Sequence, residues 1–226
     1  MEGLVSLVYP SLCIACNNSI IQREECLCLN CLWQAGTTDH FHIAQNEMIN
    51  RLAGRIELQH AASLFHFTKS GSFQHVIHAL KYEGNYALGT HLGRVAGNKL
   101  LDSKLFSKPD YIIPIPIHRK RKRKRRYNQS AMFGKGISQV TGIPHREDIL
   151  VKHQNISSQT TATRIARIQN VYDSFRLFAE KLTSGVTVLL VDDVITTGAT
   201  LEAAYHKLNQ IPDIQIQILT MAMAHD

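Results

Sequence analysis

The chain has 226 residues, of which 44% are hydrophobic and 19% are charged. This balance excludes a globally disordered chain and suffices for one α/β core with a small appendage. The formal net charge is +7, and removing the eight consecutive cations at residues 119–126 leaves −1 for the remainder. No apolar run approaches the roughly 20 residues that span a bilayer, and the apolar residues at 4–8 lack the preceding positive charge of a secretory signal. We therefore expect a cytoplasmic protein without membrane insertion.

The first chemical signal is a group of five cysteines that all lie within the first 31 residues. Cys13 and Cys16 form one Cys-x-x-Cys pair, Cys28 and Cys31 form another, and eleven residues separate the pairs. Two such pairs can place four thiolates around Zn²⁺ at about 2.3 Å. Cys26 is left over and could replace Cys28, but it forms a poorer knuckle; free buried or redox-active thiols are the alternative. We predict a closed, structural zinc module at residues 1–35.

Residues 36–59 are polar and irregular, with a turn signal at 36–39, and we interpret them as a bridge that holds a short helix near Glu47–Leu52. From residue 60 onward, apolar runs alternate with amphipathic stretches. The predicted elements are a strand at 61–67, helices at 73–81 and about 87–101, a strand at 110–116, a helix at 127–140, a strand at 186–191, a helix at 200–209 and a strand at 214–223. This alternation predicts an α/β domain at 60–226, with a mostly parallel sheet flanked by helices.

The clearest strand ends in two carboxylates, Asp192 and Asp193, which a Thr/Gly loop and a helix follow. Ligands bind outside the carboxyl ends of parallel strands, and the N–H groups of such a loop can hold a phosphate. The two carboxylates suit the vicinal hydroxyls of a ribose, because each can accept from an O–H. The alternative is that Asp193 and Thr200 only cap the helix. A cap needs one or two residues, so the ten-residue string at 191–200 favours a binding loop. The predicted phosphate-binding residues are Thr196, Thr197, Gly198, Ala199 and Thr200.

The string at 191–200 resembles the PRPP loop of type I phosphoribosyltransferases, and further motifs resemble the ComF family of competence-associated proteins. These motifs occur in the family's order: His78–Tyr82 with Gly84, Pro114–Arg119, Arg126–Gln129, and Gln159 with Arg164, Arg167 and Asn170. Two departures stand out. Arg126 occupies a position where the family pattern has glycine, and Ala162 and Ala166 replace the family's common Leu and Glu.

The resemblance implies a type I phosphoribosyltransferase-like fold with an N-terminal zinc module and a site for PRPP with Mg²⁺. Pyrophosphate would lie near Pro116, His118 and Arg119, and the polar segment 154–167 would be a mobile loop that closes over the ligand. Two functions are compatible with this site. The first is a PRPP-binding protein of DNA uptake that contacts single-stranded DNA and proteins of the uptake machinery. The second is a transferase that moves ribose 5-phosphate to an acceptor, which no residue identifies.

The eight consecutive cations lie in a predicted loop and have three interpretations: a solvated segment, a clamp on pyrophosphate by some of them, or a contact to nucleic acid. The implied tie to DNA uptake favours single-stranded DNA, whose bases Tyr127 and Trp33 could stack upon. The predicted nucleic-acid residues are Arg119, Lys120, Arg121, Lys122, Arg123, Lys124, Arg125, Arg126 and Tyr127. Lys81 is interpreted as a helix C-terminal cation, and the histidines at 60, 66, 75, 78 and 91 as structural residues.

Overall fold

The computed structural model describes residues 12–20, 26–67, 73–82, 84–152 and 174–224. Its strands are β1 (Ala61–Phe67), β2 (Tyr111–Pro114), β3 (Leu150–Lys152), β4 (Phe175–Leu177), β5 (Thr187–Ile195) and β6 (Gln215–Ala224). Four of them form a parallel sheet in the order β1–β6–β5–β2, and β3 pairs with β4 in a separate antiparallel sheet. The predicted mostly parallel sheet is therefore confirmed.

The described helices are α1 (Leu29–Gln34), α2 (Glu47–Leu52), α3 (Phe73–Tyr82), α4 (Tyr86–Asp102), α5 (Arg119–Arg125), α6 (Gln129–Thr141) and α7 (Ala199–Leu208), with a 3₁₀ turn at Ala179–Lys181. None of the helices in these ranges is long and apolar enough to cross a bilayer. Most predicted elements are present within a few residues of their expected bounds. The largest difference is at the end of β5, which was expected to end at residue 191 and continues to Ile195, so Asp192 and Asp193 lie within the strand.

Strand β5 lies in the middle of the sheet, between β2 and β6. Its alternate side chains point to opposite faces, so Leu189 and Val191 belong to one hydrophobic core while Val188 and Leu190 belong to the other. Helices α3, α4 and α6 cover the first face, and α2 and α7 cover the second. A parallel sheet covered on both faces explains why the β5 sequence is a continuous apolar run rather than an alternating one.

The segment 36–59 packs closely on the main sheet. Backbone bonds join it to β1: Thr38 N–H donates to the Leu64 carbonyl at 3.1 Å, and His66 N–H donates to the Gly36 carbonyl at 2.9 Å. On α2, Met48 and Leu52 are buried in the second core. Phe41, earlier in the segment, is buried in the first core. The sequence of this segment looks irregular because its few apolar residues follow no sheet or helix period beyond one short turn.

The structure differs from the sequence predictions at two places. The basic run forms the helix α5 and not a loop, because Lys and Arg have good helix propensity and the His118 side chain caps the first turn by accepting from Lys120 N–H. Strands β3 and β4 were not predicted, because each has three residues and their partners are separated by a long segment. The polar stretch 154–167, predicted to be a mobile loop, lies outside the described residues.

Helices α4 and α6 approach each other closely at glycines. A Cβ atom added to Gly136 would lie 2.1 Å from the Thr90 carbonyl oxygen and 2.8 Å from the Cα atom of Gly93. Because both obstacles are backbone atoms, no rotamer change can make room for a side chain. This contact brings α6, which carries several of the residues around the candidate site, close against α4.

The Gly136→Ala substitution is expected to destabilise the fold by about 1–3 kcal/mol, the usual cost of overpacking. On an isolated helix the same change would stabilise the helix by up to about 1 kcal/mol. The sign of the change in the free energy of unfolding therefore distinguishes tertiary packing from helix propensity. Urea unfolding followed by circular dichroism measures the effect. Lys135→Ala, at an exposed position of α6, is the control and should leave the midpoint nearly unchanged. An unchanged or raised midpoint for Gly136→Ala would contradict the packing described for these helices.

Candidate functional site

A cleft of about 550 Å³ lies at the carboxyl ends of β5 and β2. It contains five of the residues predicted to bind the phosphorylated ribose: Asp192, Asp193, Thr200, Pro116 and His118. The remaining residues of its lining are Lys81, Ile115, Ile117, Lys120, Arg121, Arg125, Lys152 and Val194. The described lining therefore holds five Lys or Arg side chains against two carboxylates, and this excess of cations suits a polyanionic ligand.

Asp192 is 8% exposed and is fixed by two hydrogen bonds to one carboxylate oxygen. Ser130 Oγ donates to Asp192 Oδ1 at 2.8 Å, and the backbone N–H of Asp193 donates to the same oxygen at 2.8 Å. Burial, and secondarily the neighbouring charge of Asp193, raises the pKa of Asp192, although these two hydrogen bonds act in the opposite direction. The Oδ2 atom takes part in neither bond, so it is the oxygen that can serve a ligand hydroxyl.

Asp193 is less buried than Asp192 and faces the cleft beside Lys81. Its Oδ1 accepts from the backbone N–H of Val194 at 2.7 Å, and its Oδ2 lies 3.9 Å from Lys81 Nζ. Lys81, expected from its position to be only a cation at the end of α3, lines the cleft and contacts the second carboxylate. One weak sequence signal for this role exists, since Lys81 belongs to a motif that resembles the ComF pattern.

The predicted phosphate loop surrounds a second, smaller hollow of about 40 Å³, lined by Asp192 and residues 194–201. Gly198 is the N-cap of α7 and has a φ of +81°, in the left-handed region that favours glycine. The N-cap residue Gly198 makes no side-chain cap bond. Ala199 N–H donates to Thr197 Oγ1 at 3.5 Å, and the next N–H groups of the first turn are those that a ligand could use. The helix-cap alternative for Asp193 and Thr200 therefore does not describe this loop.

The motif at 126–130 supports the cleft from behind. Tyr127 is 9% exposed, and its hydroxyl donates to the Leu80 carbonyl. Asn128 Nδ2 donates to the Ile115 carbonyl at 2.9 Å, and Gln129 Nε2 donates to the Leu80 carbonyl at 3.1 Å. A buried ring with its hydroxyl bonded internally cannot stack on a base, so the stacking role predicted for Tyr127 does not fit its position.

The first residue of this motif has an unusual backbone conformation. Arg126 has a φ of +68°, in the left-handed region. Glycine reaches this region at little cost, whereas a residue with a Cβ atom is strained there. This geometry explains why glycine suits the position in the ComF pattern.

The cations of α5 divide into two sets. Lys120, Arg121 and Arg125 line the cleft. The remaining members of the run are exposed and are not part of that lining: Arg119, Lys122, Arg123, Lys124 and Arg126. Arg119, predicted to lie near pyrophosphate, thus stands at the start of the helix outside the lining, and the two residues after it line the cleft. The helical period of 3.6 residues places Arg119, Lys122 and Arg123 on the side away from the cleft cations, which could not be distinguished while the run was treated as a loop. Lys124 lies one turn after Lys120, and Arg126 follows the helix as its C-cap.

Lys152, at the end of β3, is a cleft residue that was not predicted from the sequence. Its ammonium group lies 4.9 Å from the centre of the Phe175 ring. Burial, and secondarily the charge of Arg121, lowers the pKa of Lys152, and the nearby Asp192 acts in the opposite direction. A lone lysine in a three-residue strand carries no sequence signal, since its place in the cleft depends on the pairing of β3 with β4.

The four predicted metal ligands come together as expected. The sulfur atoms of Cys13, Cys16, Cys28 and Cys31 all lie within 4.8 Å of one another, and Cys16 Sγ is 3.8 Å from Cys28 Sγ. A tetrahedral site with bonds of about 2.3 Å requires sulfur–sulfur edges of about 3.8 Å. Backbone N–H groups donate to Cys13 Sγ and Cys28 Sγ, both at 3.4 Å. This cluster can hold a metal ion. Cys26 is buried, burial raises the pKa of its thiol, and it lies outside the cluster.

A second group of potential ligands consists of His40, Glu47 and His66, whose ligand atoms also lie within 4.8 Å of one another. His66 has no ligand spacing to its sequence neighbours, and the group forms only because 36–59 packs on β1. His40 Nδ1 accepts from the Ser63 backbone N–H at 3.2 Å, so in the neutral ring the proton lies on Nε2. Without deprotonation that nitrogen has no lone pair to offer, which disfavours a three-ligand site.

Comparison with known proteins agrees with this geometry. Residues 127–220 match the family model described as "Phosphoribosyl transferase domain". Competence protein F of Haemophilus influenzae is 29% identical over 153 residues, which cover 66% of this chain and 67% of the relative. Among solved structures, an adenine phosphoribosyltransferase from Saccharomyces cerevisiae is 17% identical, with a TM-score of 0.39 over 63% of this chain and 70% of that one. An allosteric regulatory enzyme of purine biosynthesis is 20% identical, with a TM-score of 0.41 over 59% of this chain and 25% of that one.

The class of protein follows from the matched family model and from the parallel sheet that ends in the loop at 196–200: the chain contains a phosphoribosyltransferase domain of type I fold. Together with the four-cysteine cluster and the Haemophilus relative, this domain identifies the chain as a ComF-like protein. The resemblance seen in the sequence motifs is confirmed.

The raised pKa of Asp192 leads to a pH-dependent stability. As the pH rises above the ordinary carboxyl pKa of about 3.9, the unfolded chain releases this proton before the folded chain does. Each pH unit of rise between the unfolded-state pKa and the folded-state pKa of Asp192 therefore costs about 1.4 kcal/mol of stability. Asp192→Asn removes this cost. The stability of Asp192→Asn relative to the wild type, measured by thermal unfolding, should therefore increase as the pH rises from about 4 to about 8. The upper limit is the folded-state pKa of Asp192.

Asp148 provides a control of opposite sign, because its bond from Arg146 lowers the pKa of this carboxyl. Asp148→Asn should therefore lose stability relative to the wild type as the pH rises through the acidic range. Its side chain is about half exposed, so solvent screening keeps the effect small. A stability difference between Asp192→Asn and the wild type that does not change with pH would contradict the raised pKa of Asp192.

Proposed function

We propose that the cleft binds PRPP or a related phosphorylated ribose. The observation that carries this proposal is that a cleft with two carboxylates and five cations adjoins a hollow at the N-terminus of α7, with Asp192 and Thr200 lining both. A ribose offers vicinal hydroxyls that donate to carboxylates. Its 5′-phosphate suits the N–H groups of a helix N-terminus, and a pyrophosphate group suits clustered Lys and Arg.

In this proposal the 5′-phosphate binds the loop at 196–200, and the ribose hydroxyls donate to Asp192 Oδ2 and to Asp193. The pyrophosphate extends toward Pro116 and His118, where the cleft cations of α5 face it. Mg²⁺ would enter with the ligand, held by its phosphate oxygens and by the nearby carboxylates, and would neutralise part of the pyrophosphate charge. Lys81, already beside Asp193, would keep the second carboxylate oriented toward the ribose.

The favoured function is ligand binding within DNA uptake, and the alternative is transfer of ribose 5-phosphate to an acceptor. The name of the Haemophilus relative, Competence protein F, supports the first. The alternative draws support from Lys152, since an amine with a lowered pKa can accept a proton from an attacking group. Loss of pyrophosphate from the anomeric carbon, as a nucleophile forms its bond there, would then depend on whether an acceptor enters the cleft.

The exposed set of α5 cations supports a contact with single-stranded DNA. Three consecutive members, Lys122, Arg123 and Lys124, are exposed and do not line the cleft. Such cations gain affinity by releasing counterions from phosphates, without reading sequence. Lys122 and Arg123 lie on the side of this short helix away from the cleft cations, and Lys124 lies one turn after Lys120. DNA and a phosphorylated ligand would therefore bind neighbouring surfaces of one element. Proteins of the uptake machinery remain proposed partners.

The metal of the cysteine cluster is proposed to be Zn²⁺, with a structural role. Four sulfur ligands leave no open coordination position for a substrate. The cluster is joined to the first hydrophobic core through the buried Cys13, so bound metal would stabilise the covering of that face of the sheet. Trp33, 76% exposed on α1, is an aromatic side chain of this module on which a base could stack. A reducing, cytoplasmic location is consistent with thiolate ligands.

A ligand titration followed by phosphorus NMR tests the cleft. With Mg²⁺ present, PRPP resonances should broaden or shift on addition of wild-type protein and should be unaffected by Asp192→Asn/Asp193→Asn. Persistence of intact PRPP would support a binding function, and growth of a pyrophosphate signal that requires both carboxylates would support transfer. If PRPP resonances are the same with wild-type protein and without protein, the proposed ligand is wrong.

The two sets of α5 cations provide a matched pair of variants for the DNA contact. Lys122→Gln/Arg123→Gln/Lys124→Gln should weaken binding of a fluorescent oligothymidine and reduce the slope of log K against log salt by about 2, because each phosphate contact contributes about 0.7. The same variant should bind PRPP normally. Lys120→Gln/Arg121→Gln/Arg125→Gln removes the same number of positive charges, but from the cleft, and should chiefly weaken the binding of PRPP. If both variants lose DNA and PRPP affinity equally, the division between the two sets is wrong.

A further inference from the structure

Two arginines outside the cleft contact the phosphate loop from its outer side. Arg51 Nη1 donates to the Thr196 carbonyl at 3.0 Å, and Arg55 Nη1 donates to the Thr197 carbonyl at 2.8 Å. Arg51 lies on α2 and Arg55 follows it by one turn, in the segment interpreted from its sequence as an irregular bridge. No motif directs attention to this pair, because their partners lie about 145 positions further along the chain.

The direction of these two carbonyls determines the direction of the neighbouring N–H groups. In a planar trans peptide the C=O and the following N–H point to opposite sides. With the carbonyls of Thr196 and Thr197 turned toward the arginines, the N–H groups of Thr197 and Gly198 turn away from α2. The hollow of about 40 Å³ is lined by these same residues together with Asp192, and a phosphate requires N–H donors there.

Further bonds fix the arginines themselves. Arg51 Nη1 also donates to the Ala224 carbonyl at the end of β6, at 2.6 Å. Arg55 Nη1 also pairs with Glu202 Oε2 of α7 at 3.1 Å, and its Nη2 donates to the Arg51 carbonyl. The loop is thus connected to β6 and to the first turn of α7. The planar fork of a guanidinium can make these bonds together, whereas a lysine ammonium has no such fixed geometry.

The close approach of α2 also explains the glycine in the loop. A Cβ atom at position 198 would lie 2.8 Å from Leu52 Cδ2 and 3.1 Å from Arg55 Nη2. Gly198 is therefore required both by its positive φ and by the side chains that press on the loop. Because Arg55 is 32% exposed, its bonds compete with water, and their main effect is expected on loop geometry and not on the free energy of unfolding.

From these contacts we propose that Arg51 and Arg55 are positioning residues that preform the phosphate loop. This inference rests on the proposed function, since it assigns to the loop the 5′-phosphate of the ligand. The two guanidiniums do not touch the ligand. They hold two carbonyls outward so that the loop binds phosphate without first reorganising, which is how a pre-organised site gains affinity. The segment 36–59 is then part of the site, although it contributes no residue to the described cleft lining.

The test compares the full-length wild type with Arg55→Met and Arg55→Lys, using ribose 5-phosphate and pyrophosphate as separate probes. Arg55→Met should weaken ribose 5-phosphate binding about tenfold, equivalent to about 1.4 kcal/mol, because the loop must then reorganise before it binds phosphate. Pyrophosphate affinity should change less than about twofold. Arg55→Lys keeps the charge without the fork, so it should restore little of the loss. If Arg55→Lys binds ribose 5-phosphate as tightly as the wild type, the positive charge alone accounts for the effect and the proposal is overturned. Equal loss of both probes would indicate general unfolding and would also overturn it.

A ligand-free measurement separates this proposal from the proposed function. The ¹⁵N-resolved amide resonances of Thr197 and Gly198 should shift in Arg55→Met, because the peptide plane that joins these residues loses the bond that orients it. Arg176→Met, which removes a cation from the exposed side of β4, is the control and should leave both amides unchanged. If these amides behave identically in Arg55→Met and the wild type, positioning is refuted whatever the ligand. If they change but wild-type protein binds neither probe, the proposed function fails and the preformed loop remains.

Discussion

Asp192 lies in the carboxyl-terminal half of the central strand, almost fully buried, and accepts from both Ser130 and the backbone of Asp193. A carboxylate in this position must be satisfied by neighbours, since an unpaired buried charge is costly. The Ser130 hydroxyl meets that need from α6, and α6 in turn is fixed by its glycine contact with α4. The hydrogen bond from Ser130 to Asp192 therefore connects the cleft to the motif at 126–130 and to the first core.

The cleft has two sides with different physical tasks. On one side, a strand end and a loop present carboxylate and N–H groups whose directions are fixed by backbone geometry. On the other, cations on α5 and at the ends of α3 and β3 supply charge on longer and more adaptable side chains. A sugar is recognised by hydrogen bonds from a few hydroxyl groups, so the acceptors must be fixed in the right orientation. The attraction of pyrophosphate depends mainly on charge. This division agrees with a ligand that carries both groups.

How much could be predicted differs from residue to residue. Val188–Val191 forms a continuous apolar run, so the buried strand and the carboxylates that follow it were evident. Spacing favoured the four cysteine ligands but left Cys26 as a possible substitute for Cys28, and the structure brings the sulfur atoms of the favoured four together. Lys152 and Arg55 were not predicted, because each reaches its partners only through long-range packing. Tyr127 was expected on the surface because a tyrosine after a basic run has the same sequence pattern whether it is buried or exposed.

The sequence by itself determined the parallel α/β order, the cysteine ligands, and the Asp–Asp and Thr/Gly string, because these depend on local periodicity and short spacing. The tertiary structure decided which face of α5 enters the cleft, and it brought residues 36–59 against the main sheet. It also decided that the outer carbonyls of the phosphate loop meet two arginines from that segment. Such pairings involve residues far apart along the chain, and their geometry follows from how sheets and helices pack rather than from any local preference.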